Sequence, residues 1–306
     1  MLIQGHRGAR GLKPENTLPS FEVALDAGVW SIETDVHLTR DGVPILCHDD
    51  RISASLCSLT HAGLAPPAES RPCISDLTLA EVRAYRADRN PDPARFPKQD
   101  ASATPLAALF AQEQALDPFG IPTLADLLAF VAAYGRELGR KASKTPRQQA
   151  AADRLVFDIE LKRVPFYPER IGDDFHGEGP GLLERRVVEE VRHAGVTERV
   201  LVRSFDHRAV KAVGALCPEL QTGILVAGTA MLNPGLLARQ AGASYYCPDY
   251  EFLDELQVRL ARAEGIKVLP WTVNDRASWN RLAAWGVDGI TTDYPQALPD
   301  NAPRTS

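Results

Sequence analysis

Ser31-Ile32-Glu33-Thr34-Asp35-Val36, continued by His37-Leu38-Thr39-Arg40-Asp41-Gly42-Val43 and then Pro44-Ile45-Leu46-Cys47-His48-Asp49, is the stretch that decides the fold. Its first part alternates, with Ile32 and Val36 on one side and Glu33 and Asp35 on the other, as a β-strand does. Only residues 37–43 separate it from the next β-type run, whereas a parallel crossover needs about a dozen residues or more. The two runs therefore read as an antiparallel hairpin, turned by Thr39-Arg40-Asp41-Gly42 with Gly42 available for a positive φ. That pairing places His48 beside Thr34, close to both carboxylates.

Working outward, further strand candidates alternate with helical patterns: Leu2–His6, Leu155–Leu161, Val200–Phe205, Thr222–Val226, Ser244–Cys247, Lys267–Val273 and Gly289–Thr292. With Ser31–Val36 they supply the eight parallel strands of a (β/α)8 barrel, and Pro44–His48 is the returning hairpin strand. Helices read from Thr17 to Ala27, stopped by Gly28, and from Thr123 to Tyr134, opened by Pro122 and closed by Gly135. Residues 49–121 break the alternation, are rich in Pro, Ala and Ser, and contain one short helical piece, Leu79 to Tyr85. We read them as a cap inserted in a single domain spanning residues 1–306, and the polar stretch Glu137 to Asp153 as a helix extension or loop.

The 306 residues suffice for one such barrel, and 44% hydrophobic with 24% charged residues is ordinary for a globular protein. A net charge of -6 argues against a nucleic-acid surface. No apolar run approaches the roughly 20 residues that span a bilayer, so stable membrane insertion is not expected. The five cysteines are scattered without zinc or redox spacing, and Met1-Leu2-Ile3-Gln4-Gly5 before His6 holds no secretory apolar region. Both point to the cytoplasm, with a periplasmic location open if a leader has been removed. The sequence says nothing of oligomeric state.

Strand parity separates the charges. Glu33 and Asp35 share one side of their strand, and Asp158, Glu160 and Lys162 share one side of theirs, in both cases the barrel interior. Buried carboxylates cost several kcal/mol unless compensated. Glu33, Asp35 and Glu160 offer three hard oxygen donors suited to Mg²⁺ or Ca²⁺ rather than zinc. A salt-bridge network with Arg7 and Lys162 would satisfy the same residues. His6 and His48 end strands beside this cluster and can act as acid and base near neutral pH. His37, His61, His176, His193 and His207 lack such company and read as surface or loop residues. Arg7, a planar fork, and Lys162, a point charge, suit a phosphate.

These residues stand in an ordered set: His6-Arg7-Gly8, Pro14-Glu15-Asn16-Thr17, Glu33-x-Asp35-Val36, Thr39-x-Asp41-Gly42, His48-Asp49, Glu160-Leu161-Lys162, Ser204-Phe205-Asp206, Trp271-Thr272-Val273-Asn274 and Asp288-Gly289-Ile290-Thr291-Thr292-Asp293-Tyr294-Pro295. The set resembles the glycerophosphodiester phosphodiesterase family over nearly the whole chain. The resemblance implies a distorted α/β barrel of TIM type with a cap inserted after the His-Asp strand, and hydrolysis of a small glycerophosphodiester to sn-glycerol 3-phosphate and an alcohol. It also implies a divalent cation on Glu33, Asp35 and Glu160, acid and base roles for His6 and His48, phosphate binding by Arg7 and Lys162, and a site lined by Glu15 and Asn16. Trp271 shares parity with Leu269, which suits either a wall of the glycerol pocket or a core position, and Phe205 has the same two readings. A lysophospholipase-D-like phosphodiesterase, a catalytically silent phosphate-binding barrel and a metal-dependent sugar isomerase or aldolase are the competing readings. The last would not require the His-Arg-Gly and His-Asp elements.

Overall fold

The computed structural model describes residues 1–59 and 72–297. His61 and part of the insertion lie outside the described residues. The strands are β1 (Leu2–Gly5), β2 (Ser31–Leu38), β3 (Pro44–Leu46), β4 (Ser58–Leu59), β5 (Tyr85–Arg86), β6 (Val156–Leu161), β7 (Val200–Ser204), β8 (Gln221–Val226), β9 (Tyr245–Pro248), β10 (Lys267–Val268) and β11 (Gly289–Thr292). Eight of them form a parallel path, β10-β9-β8-β7-β6-β2-β1-β11. The path closes on itself through Asp288 N–H to Val268 O (3.0 Å) and Thr291 N–H to Pro270 O (2.9 Å). The seam is irregular because Pro270 has no N–H to give to a ladder, so β10 is short. Its direction nonetheless persists: Leu269 and Trp271 donate to Tyr246 and Pro248 of β9. The result is a nearly closed, distorted (β/α)8 barrel with helices between its strands.

The hairpin forms as the short connection requires. β3 runs antiparallel to β2 with Val36 opposite Leu46 and Leu38 opposite Pro44, a register that carries His48 toward Thr34. Gly42 takes φ +78°, and its N–H donates to Thr39 O. The outer edge of β3 is covered in turn, with Leu46 N–H donating to Pro122 O at 2.8 Å.

Parity divides the strands as expected. Ile32, Val36, Phe157, Ile159, Val200 and Val202 join the large core beneath the helices. A second cluster, Val156, Leu201, Leu225, Tyr245, Cys247 and Leu269, with Trp30 and Trp271 packed on it, fills the interior. This apolar filling comes from β6 to β9 and the Leu269 strand, whereas β1 and β2 send in Gln4, Ser31, Glu33 and Asp35, all buried. One side of the barrel interior is oily and the other is polar.

Local signals set the helix ends. The helix Leu18–Asp26 is capped by Thr17, whose side chain accepts from Ser20 N–H, and Gly28 follows at φ +73°. The helix Leu124–Tyr134 opens with a reciprocal capping box between Thr123 and Asp126. The polar stretch after it folds as two short helices, Glu137–Lys141 and Pro146–Ala152. The insertion holds more helix than its composition suggested: besides Leu79–Val82 there is Pro105–Gln114, which seats Leu106, Ala107 and Phe110 in the large core. The buried carboxylate of Glu22 caps this second helix, accepting from Leu106 and Ala107 N–H, and Lys144 pairs with it at 2.6 Å. That long-range cap is why a Pro- and Ala-rich stretch becomes helical. A smaller core of Ile45, Ile52, Cys57, Ile74, Val82 and Ile121 ties the rest of the insertion to β3. No described helix is long and apolar enough to cross a membrane.

The loop after β1 depends on Gly8, at φ +87°, where a Cβ would come within 2.5–2.8 Å of Ser20. Gly8→Ala combines a left-handed backbone with a backbone clash, and should cost at least about 2 kcal/mol of stability. Urea unfolding checks this; a change below about 0.5 kcal/mol would contradict the packing described.

Candidate active site

The site lies at the C-terminal ends of the strands, where barrels of this kind carry their chemistry. Register builds it in tiers: Glu33 pairs across the ladder with Asp158, Asp35 with Glu160, and Glu160 with Arg203. In the lower tier Gln4 Nε2 donates to Asp158 Oδ2 (2.7 Å) and to Ser31 Oγ (3.0 Å), and Thr291 Oγ1 donates to Gln4 Oε1 (2.7 Å). Arg203 completes this tier against Asp158 and Glu33.

The upper tier is the carboxylate cluster. One oxygen each of Glu33, Asp35 and Glu160 lie within 4.8 Å of one another, and all three residues are buried. Arg7 and Lys162 close over them: Arg7 Nη1 reaches Glu15 Oε1 at 2.7 Å and Nε lies 3.2 Å from Asp35 Oδ2, while Lys162 Nζ is 2.7 Å from Glu160 and 3.4 Å from Asp35. Arg7 stands at φ +49° and Asn16 at +54°, conformations held by the tight loop between β1 and the first helix. Asn16 Nδ2 donates to Asp35 Oδ2 at 3.0 Å and its Oδ1 accepts from Thr34. Burial and the neighbouring Asp35 push Glu33 up to about 8. For Asp35 burial acts the same way, but Arg7 and Lys162 outweigh it and hold the carboxyl well below the ordinary range. Three close hard oxygens, with the Glu33 carboxyl pushed up beside Asp35, form a set that a divalent cation would fit.

Two His–Asp pairs flank the cluster. His6 Nδ1 is 2.7 Å from Asp293 Oδ1, and its Nε2 is 3.9 Å from Glu33. Burial, then Arg7, push His6 down to about 3, so the ring is neutral at pH 7. A carboxylate can only accept, so Nδ1 carries the proton and Nε2 keeps its lone pair. Arg10 and Asn274 hold Asp293 in turn, at 3.0 and 2.7 Å. His48 lies on the open side, its side chain 36% exposed, with Nδ1 2.8 Å from Asp49 Oδ1.

His6, Arg7, Glu15, Asn16, Glu33, Asp35, Glu160 and Lys162 are joined by these contacts. Phe205 and Trp271 meet edge to face with centroids 5.9 Å apart, and Trp271 Nε1 donates to Cys247 O, so the indole borders both the interior filling and the rim. Phe205 and Phe252 are partly exposed and Phe166 and Leu232 largely so, the last three on the segments that follow β9, β6 and β8. The loop from Arg163 to Gly181 is pinned where Arg163 meets Asp173 and Glu184, and it walls a side cavity of about 250 Å³ with Tyr167, Phe175 and Arg208.

Sequence reasoning misplaced one histidine and passed over several partners. His37 is a buried residue of β2, not a surface one, and its Nε2 lies 3.1 Å from the carbonyl of His48. Burial pushes it down to about 4, so it is neutral and donates through Nε2. Its parity with Glu33 and Asp35 was the available signal. His207 is half-buried, its ring nitrogen 3.0 Å from Leu225 O, while His176 and His193 are exposed as read. Arg203 shares parity with Leu201, and a charge at an inward position marked it. Arg10, Asp293 and Gln4 become recognisable only through what they touch.

The model of the glycerophosphoryl diester phosphodiesterase family matches residues 6–297 of the chain. A glycerophosphodiester phosphodiesterase of Caldanaerobacter subterraneus subsp. tengcongensis is 26% identical over 298 residues, which is 97% of this chain and 96% of that one. A solved structure from Silicibacter pomeroyi DSS-3 that carries the same family name is similar with a TM-score of 0.74 and 27% identity, covering 96% of this chain and 90% of the other. An Oleispira antarctica phosphodiesterase, solved in complex with the product sn-glycerol-3-phosphate, shares the fold with a TM-score of 0.66 at 23% identity, covering 97% and 94%.

A divalent cation at a hundred times its dissociation constant should raise the unfolding free energy by about 2.7 kcal/mol. Glu160→Gln should lose most of that gain in thermal unfolding; an unchanged gain would mean that the ion binds elsewhere.

Proposed function

The chain belongs to the glycerophosphoryl diester phosphodiesterase family, an enzyme of phosphoric diester hydrolysis, and from that premise we propose how its residues carry the reaction. The substrate class is a small glycerophosphodiester, and the product sn-glycerol 3-phosphate with release of an alcohol. The product bound to the Oleispira antarctica relative supports this assignment. The observation that carries the mechanism is the buried carboxylate trio flanked by two His–Asp pairs.

Glu33, Asp35 and Glu160 would hold the cation, Mg²⁺ or Ca²⁺ by the hardness of the three donors. When bound, it neutralises charge that develops on the phosphoryl oxygens. Arg7 and Lys162 bind the phosphate. Arg7 Nε supports that role, being buried and without a well-directed hydrogen bond although Asp35 is near. Glu15 anchors the far end of the Arg7 fork, and Asn16 orients Asp35. Trp271 and Phe205 wall the glycerol end of the pocket.

Two proton transfers accompany the exchange at phosphorus, and two histidines stand ready for them. One removes the proton from a glycerol hydroxyl as its oxygen bonds to phosphorus, and the other protonates the alcohol oxygen as its bond to phosphorus breaks. Water then opens the cyclic phosphate with the roles reversed. Asp293 and Asp49 hold the Nδ1 side of each ring, so that each Nε2 faces the reaction: the base takes up a proton there, and the acid starts with a proton on Nε2 and gives it up. We assign residues 49–121 as a cap within one domain, and the cytoplasm as the site of action, supported by five cysteines that are all free.

The test is release of glycerol 3-phosphate from glycerophosphocholine and related diesters, with and without chelator. Turnover that persists unchanged in chelator would remove the cation from the mechanism. His6→Ala and His48→Ala should each lower kcat by roughly 10²–10⁴-fold with little change in unfolding midpoint. Asp293→Asn should cost roughly as much by releasing the His6 ring, and near-wild-type turnover in that variant would dissolve the dyad argument.

A further inference from the structure

Of the charged groups in the barrel interior, the mechanism leaves Arg203 and Asp158 unused. Val200 and Val202 face the helices, so Leu201 and Arg203 point inward. The Arg203 side chain is 2% exposed, and although its backbone stands opposite Glu160, its guanidinium turns toward Asp158 and Gln4. Its Nε lies 3.2 Å from Asp158 Oδ1, its Nη1 3.4 Å from Gln4 Oε1 and its Nη2 3.4 Å from Glu33 Oε1.

The plain account is that Arg203 neutralises Asp158. That leaves two things unexplained. Neither Arg203 Nε nor Asp158 Oδ1 has a directed hydrogen bond, and Asp158 already accepts from Gln4, so the guanidinium is not locked to that partner. The other side of Arg203 meets Glu33, whose carboxylate is in reach of its guanidinium. The Lys162 ammonium pairs with Asp35 and Glu160, and the Arg7 side chain pairs with Glu15 and Asp35. Among the described residues, Arg203 is the Lys or Arg whose side chain stands within 4 Å of a Glu33 oxygen, and the other Glu33 oxygen accepts from the Arg7 backbone N–H at 2.9 Å.

We infer that Arg203 is a positioning residue of the cation site, holding the Glu33 carboxylate from beneath in the orientation a ligand requires. This rests on the reading of Glu33, Asp35 and Glu160 as cation ligands. Glu33 and Asp158 are ladder partners on adjacent strands, so without a cation between them two carboxylates confront each other in the barrel and Glu33 turns away. Orientation and charge act on ion binding with opposite signs. A fixed positive charge near a cation site repels the ion through space, so a guanidinium that acted by charge alone would strengthen binding when removed. A guanidinium that orients a ligand weakens binding when removed.

Calorimetric titration of the metal-free enzyme with Mn²⁺ and with Ca²⁺, alongside thermal unfolding, separates the two. The variants are Arg203→Lys, Arg203→Met, and Arg203→Met combined with Asp158→Asn. The double variant removes one positive and one negative charge together and keeps the fold available should the single one fail to express. At least a tenfold loss of affinity is expected in each Met variant that folds, with part recovered in Arg203→Lys. Wild-type or tighter affinity in the folded double variant would overturn the inference, leaving Arg203 as a counter-ion to Asp158. A wild-type enzyme that takes up neither ion would sink the cation site itself, a failure recognisable because Glu160→Gln would then change nothing.

Discussion

Carboxylates cannot be placed inside a β-barrel without something to answer their charge, and that constraint organises this molecule. Four of them, Glu33, Asp35, Asp158 and Glu160, enter the interior from two adjacent strands. Each would cost several kcal/mol alone. They are answered from above by Arg7 and Lys162 and from below by Arg203, and Glu33 still resists ionisation. Burial and the neighbouring Asp35 keep Glu33 hard to ionise despite those cations, and the three oxygens are close enough that they could hold a divalent cation. The ion pairs read from the sequence are present as well: Arg7 pairs with Asp35, and Lys162 with Asp35 and Glu160.

The oily half of the interior makes this arrangement affordable in space as well as energy. Leu201, Leu225, Tyr245, Cys247 and Leu269 fill the barrel from β7 to the Leu269 strand with buried apolar side chains. A drier surround strengthens every interaction among the charges on the other side. The loops above continue the division, with Phe205 and Trp271 on one side of the mouth and the Arg7–Glu15–Arg10–Asp293 network on the other.

Much of this was legible in the amino-acid sequence because strands alternate strictly. Parity alone put Glu33, Asp35, Glu160 and Lys162 inside, and the shortness of residues 37–43 forced the hairpin that delivers His48. What stayed hidden depends on contacts between distant elements. The second helix of the insertion is capped by Glu22 from the first barrel helix, a partner more than eighty residues away (|i−j| of 84 and 85). Asp293 acquires meaning from His6 at the opposite end of the chain, and neither residue type nor neighbours announce that pairing. His37 is buried, not at the surface, because its position on β2 has the parity of the buried carboxylates.

The hairpin has a consequence for how such an enzyme can diversify. In an ordinary barrel the loop after a strand can be exchanged while the strand keeps its catalytic side chain. Here the chain turns back, and His48 stands on the returning arm at the root of the insertion, its carbonyl held by His37 and its arm laid against Pro122 where the insertion ends. The inserted segment and the arm that carries His48 are therefore one mechanical unit. Recombination that grafts a different insertion onto this barrel changes the setting of His48 along with it.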